Sequence, residues 1–397
     1  MRIGYCKSLN NSEIRVNRGG LQSKAVDRLR LPLAVMVVFI HSFFNYPVGD
    51  AGYAGLMIYE CVRIFFSHVV SHVAVPVFFL VSGYYFFYGC GRFTMKDYGS
   101  KLSRRVRSLM VPYLLWNLTY VLCIIVVHVS RIFVSDSTDV TSLYGWFTEF
   151  VHGSDFLSLL WDSSRWDNRF NWLGGMIEMS APILFSLWFI RDLFVMVVLA
   201  PLIYWIANIA KRYFIAALFV FYISGLSFFS IPDVSSMFFF SLGASFAIKG
   251  KTIIDLFMPY RRMAYVFAGF LALIMVYFDG SNTFIGSLVY PFFICAGVVA
   301  AVCMATQFEE RRLKGRRVSE RKNHIAGLSF FIFLFHPFIL SLCHKAVLSV
   351  SSAVGSLTAI IGYLTTPILC VLMCTALYTL LVRLAPSALG KLLGGRL

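Results

Sequence analysis

Residues 30–41 read Arg-Leu-Pro-Leu-Ala-Val-Met-Val-Val-Phe-Ile-His, a guanidinium and an imidazole bracketing ten uncharged positions. Pro32 suits the first turn of a helix, so the spacing predicts a helix with Arg30 at its mouth. Eleven residues at about 100° each return to within about 20° of the starting direction, and at about 1.5 Å per residue they rise roughly 16 Å. Arg30 and His41 therefore share a face, one at the end of an apolar run and one deep within it. A rise of that order matches the reach of a pantetheine arm from diphosphate to sulfur. A guanidinium suits phosphate at the mouth, and a neutral imidazole in the interior can take a proton from an attacking hydroxyl. The competing reading is an Arg that only marks a membrane boundary and a His bonded to a neighbouring helix.

Other polar residues stand where apolar surroundings make them costly. Arg104 and Arg107 are three apart and share a helix face, where two guanidiniums suit a polyanion or anionic lipid headgroups. Arg191 and Asp192 are adjacent in Leu-Trp-Phe-Ile-Arg-Asp and point about 100° apart, so each needs its own partner. His336 precedes Pro337, which cannot bond the carbonyl of Phe333 and so leaves an acceptor beside the imidazole. For Arg191, Asp192 and His336, a structural polar network and a catalytic one read equally well. Ser82-Gly83, following Pro76, permits close helix packing. His68 and His72 have the i,i+4 spacing of a metal pair but no further ligand cluster, so no metal site is expected.

The elements that must position these groups follow from composition. Of 397 residues, 59% are apolar, 17% aromatic and 14% charged, with a mean hydropathy of +0.76. Soluble domains carry about 25% charged residues, and 40 Phe with 20 Tyr cannot all be buried in a globule of this size. The chain reads as an all-α integral membrane protein. Helices of about 20 apolar residues cross a bilayer, and ten candidates are present: about 29–47, 69–89, 106–129, 182–206, 212–230, 234–248, 263–279, 284–306, 326–348 and 357–382. With the N-terminus inside, the inner segments hold 29 of the 35 Lys and Arg residues, as the positive-inside rule requires. Both termini are then cytoplasmic. The formal charge of +16 thus reads as a topology signal, and no nucleic-acid partner is expected. Residues 1–30 hold seven basic side chains and no apolar core, which is unlike a cleavable signal peptide.

One outer loop, about 130–181, is long and collects Trp146, Trp161, Trp166 and Trp172 with most of the outer acids. Such side chains suit sugar stacking and hydroxyl recognition, or interfacial anchoring. Nine cysteines form no CxxC, and they read as small buried hydrophobes. No internal repeat is evident, which weighs against an inverted-repeat transporter.

Taken in order, these pieces resemble the acyltransferase-3 family of bacterial multi-pass membrane O-acyltransferases. The matching pieces are Arg30-x10-His41, Pro-Val-Phe-Phe-Leu-Val-Ser-Gly at 76–83, Arg-x-x-Arg at 104–107, and Pro112-Tyr113 with Trp116. Further matches are Leu187-Trp-Phe-x-Arg191-Asp192, Phe-Phe-Phe-Ser-Leu-Gly at 238–243, and Phe335-His336-Pro337. They run over about 28–340. The resemblance implies transfer of an acyl group, most often acetyl, from cytoplasmic acyl-CoA to an extracytoplasmic or lipid-linked acceptor, usually a sugar hydroxyl. It implies His41 as the catalytic residue, Arg30, Arg104 and Arg107 at the CoA phosphates, and acyl-CoA as a donor substrate with no permanently bound cofactor. Many members add a C-terminal hydrolase-like domain that this sequence does not show, so acceptor recognition is expected in the membrane part or in loop 130–181. Ser82, Arg191, Asp192 and His336 are candidates for a polar network or the acceptor side. His336, Asp192 or Glu60 would have to polarise His41 from another span.

The expected organisation is a cytoplasmic segment at 1–28, a membrane acyltransferase domain at 29–383 and a cytoplasmic tail at 384–397, in the bacterial inner membrane. The expected partners are acyl-CoA, a carbohydrate or lipid-linked glycan and the lipid bilayer. The alternative is a transporter or flippase for a glycan, lipid or small solute, which would need no acyl-CoA.

Overall fold

The computed structural model describes residues 11–49, 52–91, 93–134, 156–226, 228, 230–315, 325–350 and 355–397. Trp146, Asp136, Asp139, Glu149 and Asp155 of the long loop lie outside the described residues. Helix α1, Asn11–His41, runs unbroken through residue 28 and ends at His41 itself, six residues before the expected end. Ser42 closes it: its N–H bonds Phe39 O at 3.1 Å and its hydroxyl donates to Val38 O at 2.6 Å. Pro47 then disfavours helical backbone at Tyr46.

The second apolar run begins at Gly52, well before the expected 69, and reaches Phe87 as a single 36-residue span. It comprises α2 (Gly52–Ile64), a π turn (Phe65–Val69), a 3-10 turn (Val70–Val73) and α3 (Ala74–Phe87). The irregular turns lie just ahead of Pro76, which cannot donate to the carbonyl of His72. Helix α4, Met95–Arg105, starts at a Thr94/Asp97 capping box and continues through a π turn, Val106–Met110, into α5, Val111–Val134. After the loop come α6 (Phe156–Trp161) and a hairpin of β1 (Ser164–Phe170) and β2 (Met176–Ala181). Next are α7 (Trp188–Val198) and α8 (Ala200–Ile209). With the short turn from Phe185, these two form one apolar run bent by 58°.

The remaining helices are α9 (Lys211–Ser224), α10 (Val234–Ile248), α11 (Ile253–Phe257), α12 (Arg261–Tyr277), α13 (Phe284–Gly315), α14 (Ile325–Val350), α15 (Ser356–Leu384) and α16 (Pro386–Leu392). The ten apolar segments of the sequence lie mostly on helix, with residues 42–47 and 225–226 among those beyond the helix ends. Among the described residues, six helical runs are long and apolar enough to cross a bilayer, or seven if the bent pair is one span.

Helix association in lipid depends on close packing, because lipid is as apolar as the helices' own side chains. The α3–α10 crossing shows how close. A methyl group at Gly83 would lie 2.0 Å from Phe240 O, and one at Gly243 would lie 2.0 Å from Leu80 O. The Ser-Gly of residues 82–83 and the Ser-Leu-Gly of residues 241–243 are thus two halves of one contact. Around it α1 packs on α13 and α14, α12 on α13, and α14 on α15.

The hairpin pairs antiparallel, Ser164 with Ala181 through Phe170 with Met176, and a bulge falls between Asp167 and Arg169. It is pinned to the bundle: Phe170 N–H bonds Ser287 Oγ at 3.0 Å and Trp172 N–H bonds Ser224 O at 3.2 Å.

Candidate active site

Helix α1 carries Arg30 into one cavity and His41 into another. The first cavity, about 180 Å³, has apolar walls interrupted by Arg30, Ser82, Arg105, Ser329 and Arg396. The second, about 400 Å³, is lined by His41 together with His72, Trp166, Arg169, Tyr222 and Asp233, among others. Phe189 and Phe333 line both cavities, and their rings meet edge-on at 5.7 Å. An aromatic pair is therefore the partition between an arginine-lined space and a histidine-lined one.

At the partition, His41 stacks on His336 with ring centroids 5.3 Å apart and meets Phe185 edge-on at 4.6 Å. His336 is fully buried. Its Nδ1 lies 2.9 Å from Phe333 O and 3.1 Å from Ile332 O. Phe333 O is the carbonyl that Pro337 leaves without its helical N–H. A ring nitrogen facing carbonyl oxygens must carry the proton, so His336 is held as the Nδ1–H tautomer, with a lone pair on Nε2. That Nε2 has no hydrogen-bond partner among the described residues. Glu60 is paired with Arg63 at 2.6 Å, and Asp192 is engaged elsewhere. Of the three groups expected to polarise His41, the fold brings His336 to it.

The arginine cavity departs from the spacing argument. Arg104 and Arg107 present their shared face outward and are exposed. The guanidinium that this segment contributes is Arg105, about 100° further round the helix. Arg30 also bonds Asp27 at 3.3 Å. Arg396 comes from the C-terminal tail, which folds back through α16. Trp116 Nε1 donates to Leu392 O at 3.1 Å, and Leu389 and Leu393 are buried. Gly394, at φ +61°, presses on the backbone of Ser108. Arg396 donates to Ser108 O at 2.7 Å and lies over the Phe330 ring at 4.0 Å. Burial, with Arg105 and Arg30 adding like-charge repulsion, holds its guanidinium down at about 10. Three cations brought together without a carboxylate for each favour a polyanionic occupant.

Ser82 lies inside the arginine cavity, one residue from the helix crossing. Arg191 and Asp192 line neither cavity. They are almost wholly buried and paired at 2.9 Å. Arg191 donates to Trp161 O at 2.7 Å and to Ser180 Oγ and O at 3.0 Å. Asp192 accepts from Asp233 N at 2.7 Å. Together they fasten the hairpin and the start of α10, which carry Arg169 and Asp233 into the histidine cavity. Asp233 in turn caps α10 by accepting from Ser235 N at 2.9 Å.

Arg105, Arg169, Tyr222, Asp233 and Arg396 are absent from the sequence-derived set. No spacing rule links them, and it takes α4, the hairpin, α9, the start of α10 and the docked tail to bring them to the cavities. Among the described residues, no three His, Cys, Asp or Glu side chains are grouped to hold a metal ion.

The profile of a family described as an acyltransferase domain matches residues 23–380, which takes in both cavities apart from Arg396. Over 385 residues the chain is 24% identical to the succinoglycan biosynthesis protein ExoH of Rhizobium meliloti (strain 1021), covering 94% of this chain and 92% of that protein. No solved structure matches.

Proposed function

Because the chain belongs to the acyltransferase-3 family, a family of multi-pass membrane enzymes, we propose that it moves an acetyl group from cytoplasmic acetyl-CoA to a hydroxyl of a carbohydrate. The acceptor is an extracytoplasmic or lipid-linked glycan. One observation carries the reading: a single helix places Arg30 in a cation-lined cavity and His41 in a polar one, and the two cavities meet at Phe189 and Phe333. In this reading Arg30, Arg105 and Arg396 hold the CoA phosphates, and the pantetheine arm runs along the apolar wall past Ser82. The thioester then reaches the aromatic partition.

The acceptor oxygen attacks the thioester carbon, so a C–O bond forms and the C–S bond breaks. His41 takes the hydroxyl proton and returns it to the departing thiolate. His336, fixed by the carbonyls of Phe333 and Ile332, is a positioning residue for His41. The biosynthetic role in the name of the Rhizobium relative supports a polysaccharide acceptor.

Cytoplasmic CoA phosphates require Arg30 to face inward. The basic residues of the loops support the same orientation, with ten passes and both termini in the cytoplasm of a bacterial inner membrane. Helices α1, α9 and α10 then supply the crossings that length and composition alone leave out.

The test is transfer of label from [14C]acetyl-CoA to glycan in membranes containing the full chain. Label incorporated into the glycan upholds the reading, and glycan movement without acetyl-CoA consumption would replace it with transport. Arg396→Gln is expected to raise KM for acetyl-CoA by roughly 10-fold or more, as for a lost charged hydrogen bond, with kcat little changed. Arg104→Gln, outside the cavity, should leave both constants at wild-type values. Initial rates against donor concentration check the pair.

A further inference from the structure

The histidine cavity contains more unused hydrogen-bonding capacity than its own packing needs. Among the described residues, Tyr222 Oη, Ser186 Oγ and His72 Nδ1 are buried without a hydrogen-bond partner, and all three residues line this one cavity. Tyr222 and Ser186 are 1% and 2% exposed. Leaving such atoms unsatisfied is costly, so their collection in one cavity points to a polar ligand.

The charges there are arranged in the same sense. Arg169 is buried with its guanidinium beside the Tyr222 and Tyr290 rings at 5.7 and 5.1 Å. Among the described residues its guanidinium makes one long hydrogen bond, to Tyr222 O at 3.4 Å, although a guanidinium has five donors. The Asp233 carboxylate caps α10, facing the backbone N–H groups of Val234, Ser235 and Ser236, and a carboxylate has about four lone-pair sites. Both line the cavity, and neither a hydrogen bond nor an ion pair joins them.

From this we infer that the histidine cavity is the acceptor subsite and that it takes an uncharged, hydroxyl-bearing sugar ring. The inference rests on the acyltransferase reading above and names the substrate class of the same site. A hydroxyl can accept from a guanidinium and donate to a carboxylate at once, so neighbouring hydroxyls bridge Arg169 and Asp233 as no single-function group can. An anionic ring would gain at Arg169 but meet repulsion from Asp233. An apolar ligand would leave Tyr222, Ser186 and His72 unsatisfied. Trp166, on the same side of the hairpin as Arg169, offers an indole face to the C–H side of a ring. The volume of about 400 Å³ is within the ~300–1,000 Å³ of small-ligand sites. Occupying this space brings a sugar hydroxyl to His41.

The experiment uses membranes containing the full chain and its endogenous glycan. It compares wild type with Tyr222→Phe, Arg169→Gln and Asp233→Asn for the initial rate of [14C]acetyl transfer. In parallel, the rise in Tm that acetyl-CoA produces in the detergent-purified proteins reports donor binding. Each substitution should cut transfer by roughly 10-fold or more, as when a site built for hydroxyls loses a partner. The donor-induced rise in Tm should be retained. Wild-type transfer in both Tyr222→Phe and Arg169→Gln would place the acceptor elsewhere and overturn the inference. Loss of the donor-induced rise along with transfer would do the same, because the cavity would then serve the donor or the fold. Faster transfer in Asp233→Asn than in wild type would mark an anionic acceptor and overturn the uncharged class. If wild type neither binds nor uses acetyl-CoA, the acyltransferase reading itself fails and the subsite falls with it.

Discussion

His41→Ala is expected to lower the rate of acetyl transfer by about 10²–10⁴-fold, the range for removal of a general base, with the affinity for acetyl-CoA near wild type. The split follows from the geometry. His41 lines the second cavity, whereas the three guanidiniums line the first. Loss of the imidazole should therefore be felt in kcat, the signature of a group that acts mainly in the transition state. His41 is the last residue of α1 and only partly buried, so the substitution removes the contacts with Phe185 and His336 without breaking a helix. His336→Gln should give a smaller loss, because it removes only the ring on which His41 rests. Initial rates with labelled acetyl-CoA in membranes measure both. Undiminished transfer in His41→Ala would remove His41 from the chemistry and leave the buried Nε2 of His336 as the base to test.

Gly243→Val should prevent the protein from folding, and Gly83→Val should do the same. At both positions even the first added carbon would sit 2.0 Å from a backbone carbonyl oxygen of the facing helix. No rotamer relieves a clash between backbones, so α3 and α10 would have to separate. Overpacking costs about 1–3 kcal/mol where side chains can shift, and it should cost more here because they cannot. In lipid there is little hydrophobic drive to reclose a loosened crossing. Gly269→Ala is the matched control, since nothing lies within 4 Å of a methyl group there and Ala is the better helix former. Yield of monodisperse detergent-purified protein and its Tm should fall to nothing measurable for the two valine variants and be unchanged or raised for the alanine control. A folded, active Gly243→Val would mean that the crossing is not needed.

The Arg30-to-His41 face follows from helical period alone, and Ser82-Gly83 could be recognised as a packing signal from one helix. The carbonyl left beside His336 by Pro337 was also legible, because a proline's missing N–H is a local fact. The Phe238–Gly243 segment was recognisable as a motif, but its role as the other face of the Gly83 contact was not. A contact between segments 160 residues apart leaves no trace in the period of either one.

The guanidiniums show the same division. Arg104 and Arg107 share a helix face, as their spacing says, but spacing cannot say which way that face turns. The fold turns it outward and brings Arg105 to the cavity, and it adds Arg396 from a tail that docks through Leu389, Leu393 and Trp116. Arg169 is the clearest case. Plain β alternation would send it to the same side as Arg165 and Asp167. The bulge between Asp167 and Arg169 re-aims it, so it joins Ser164 and Trp166 in lining the cavity.

What the sequence determined by itself is therefore one-dimensional: a membrane solvent, the apolar segments, and the face that Arg30 and His41 share. Bilayer thickness and helical period act along a single segment, and so they can be read from one. The partner of His41, the set of arginines in the first cavity and the polar lining of the second were decided by tertiary structure. Those depend on which faces meet across the bundle, on where a hairpin slips by one residue, and on where a tail comes to rest.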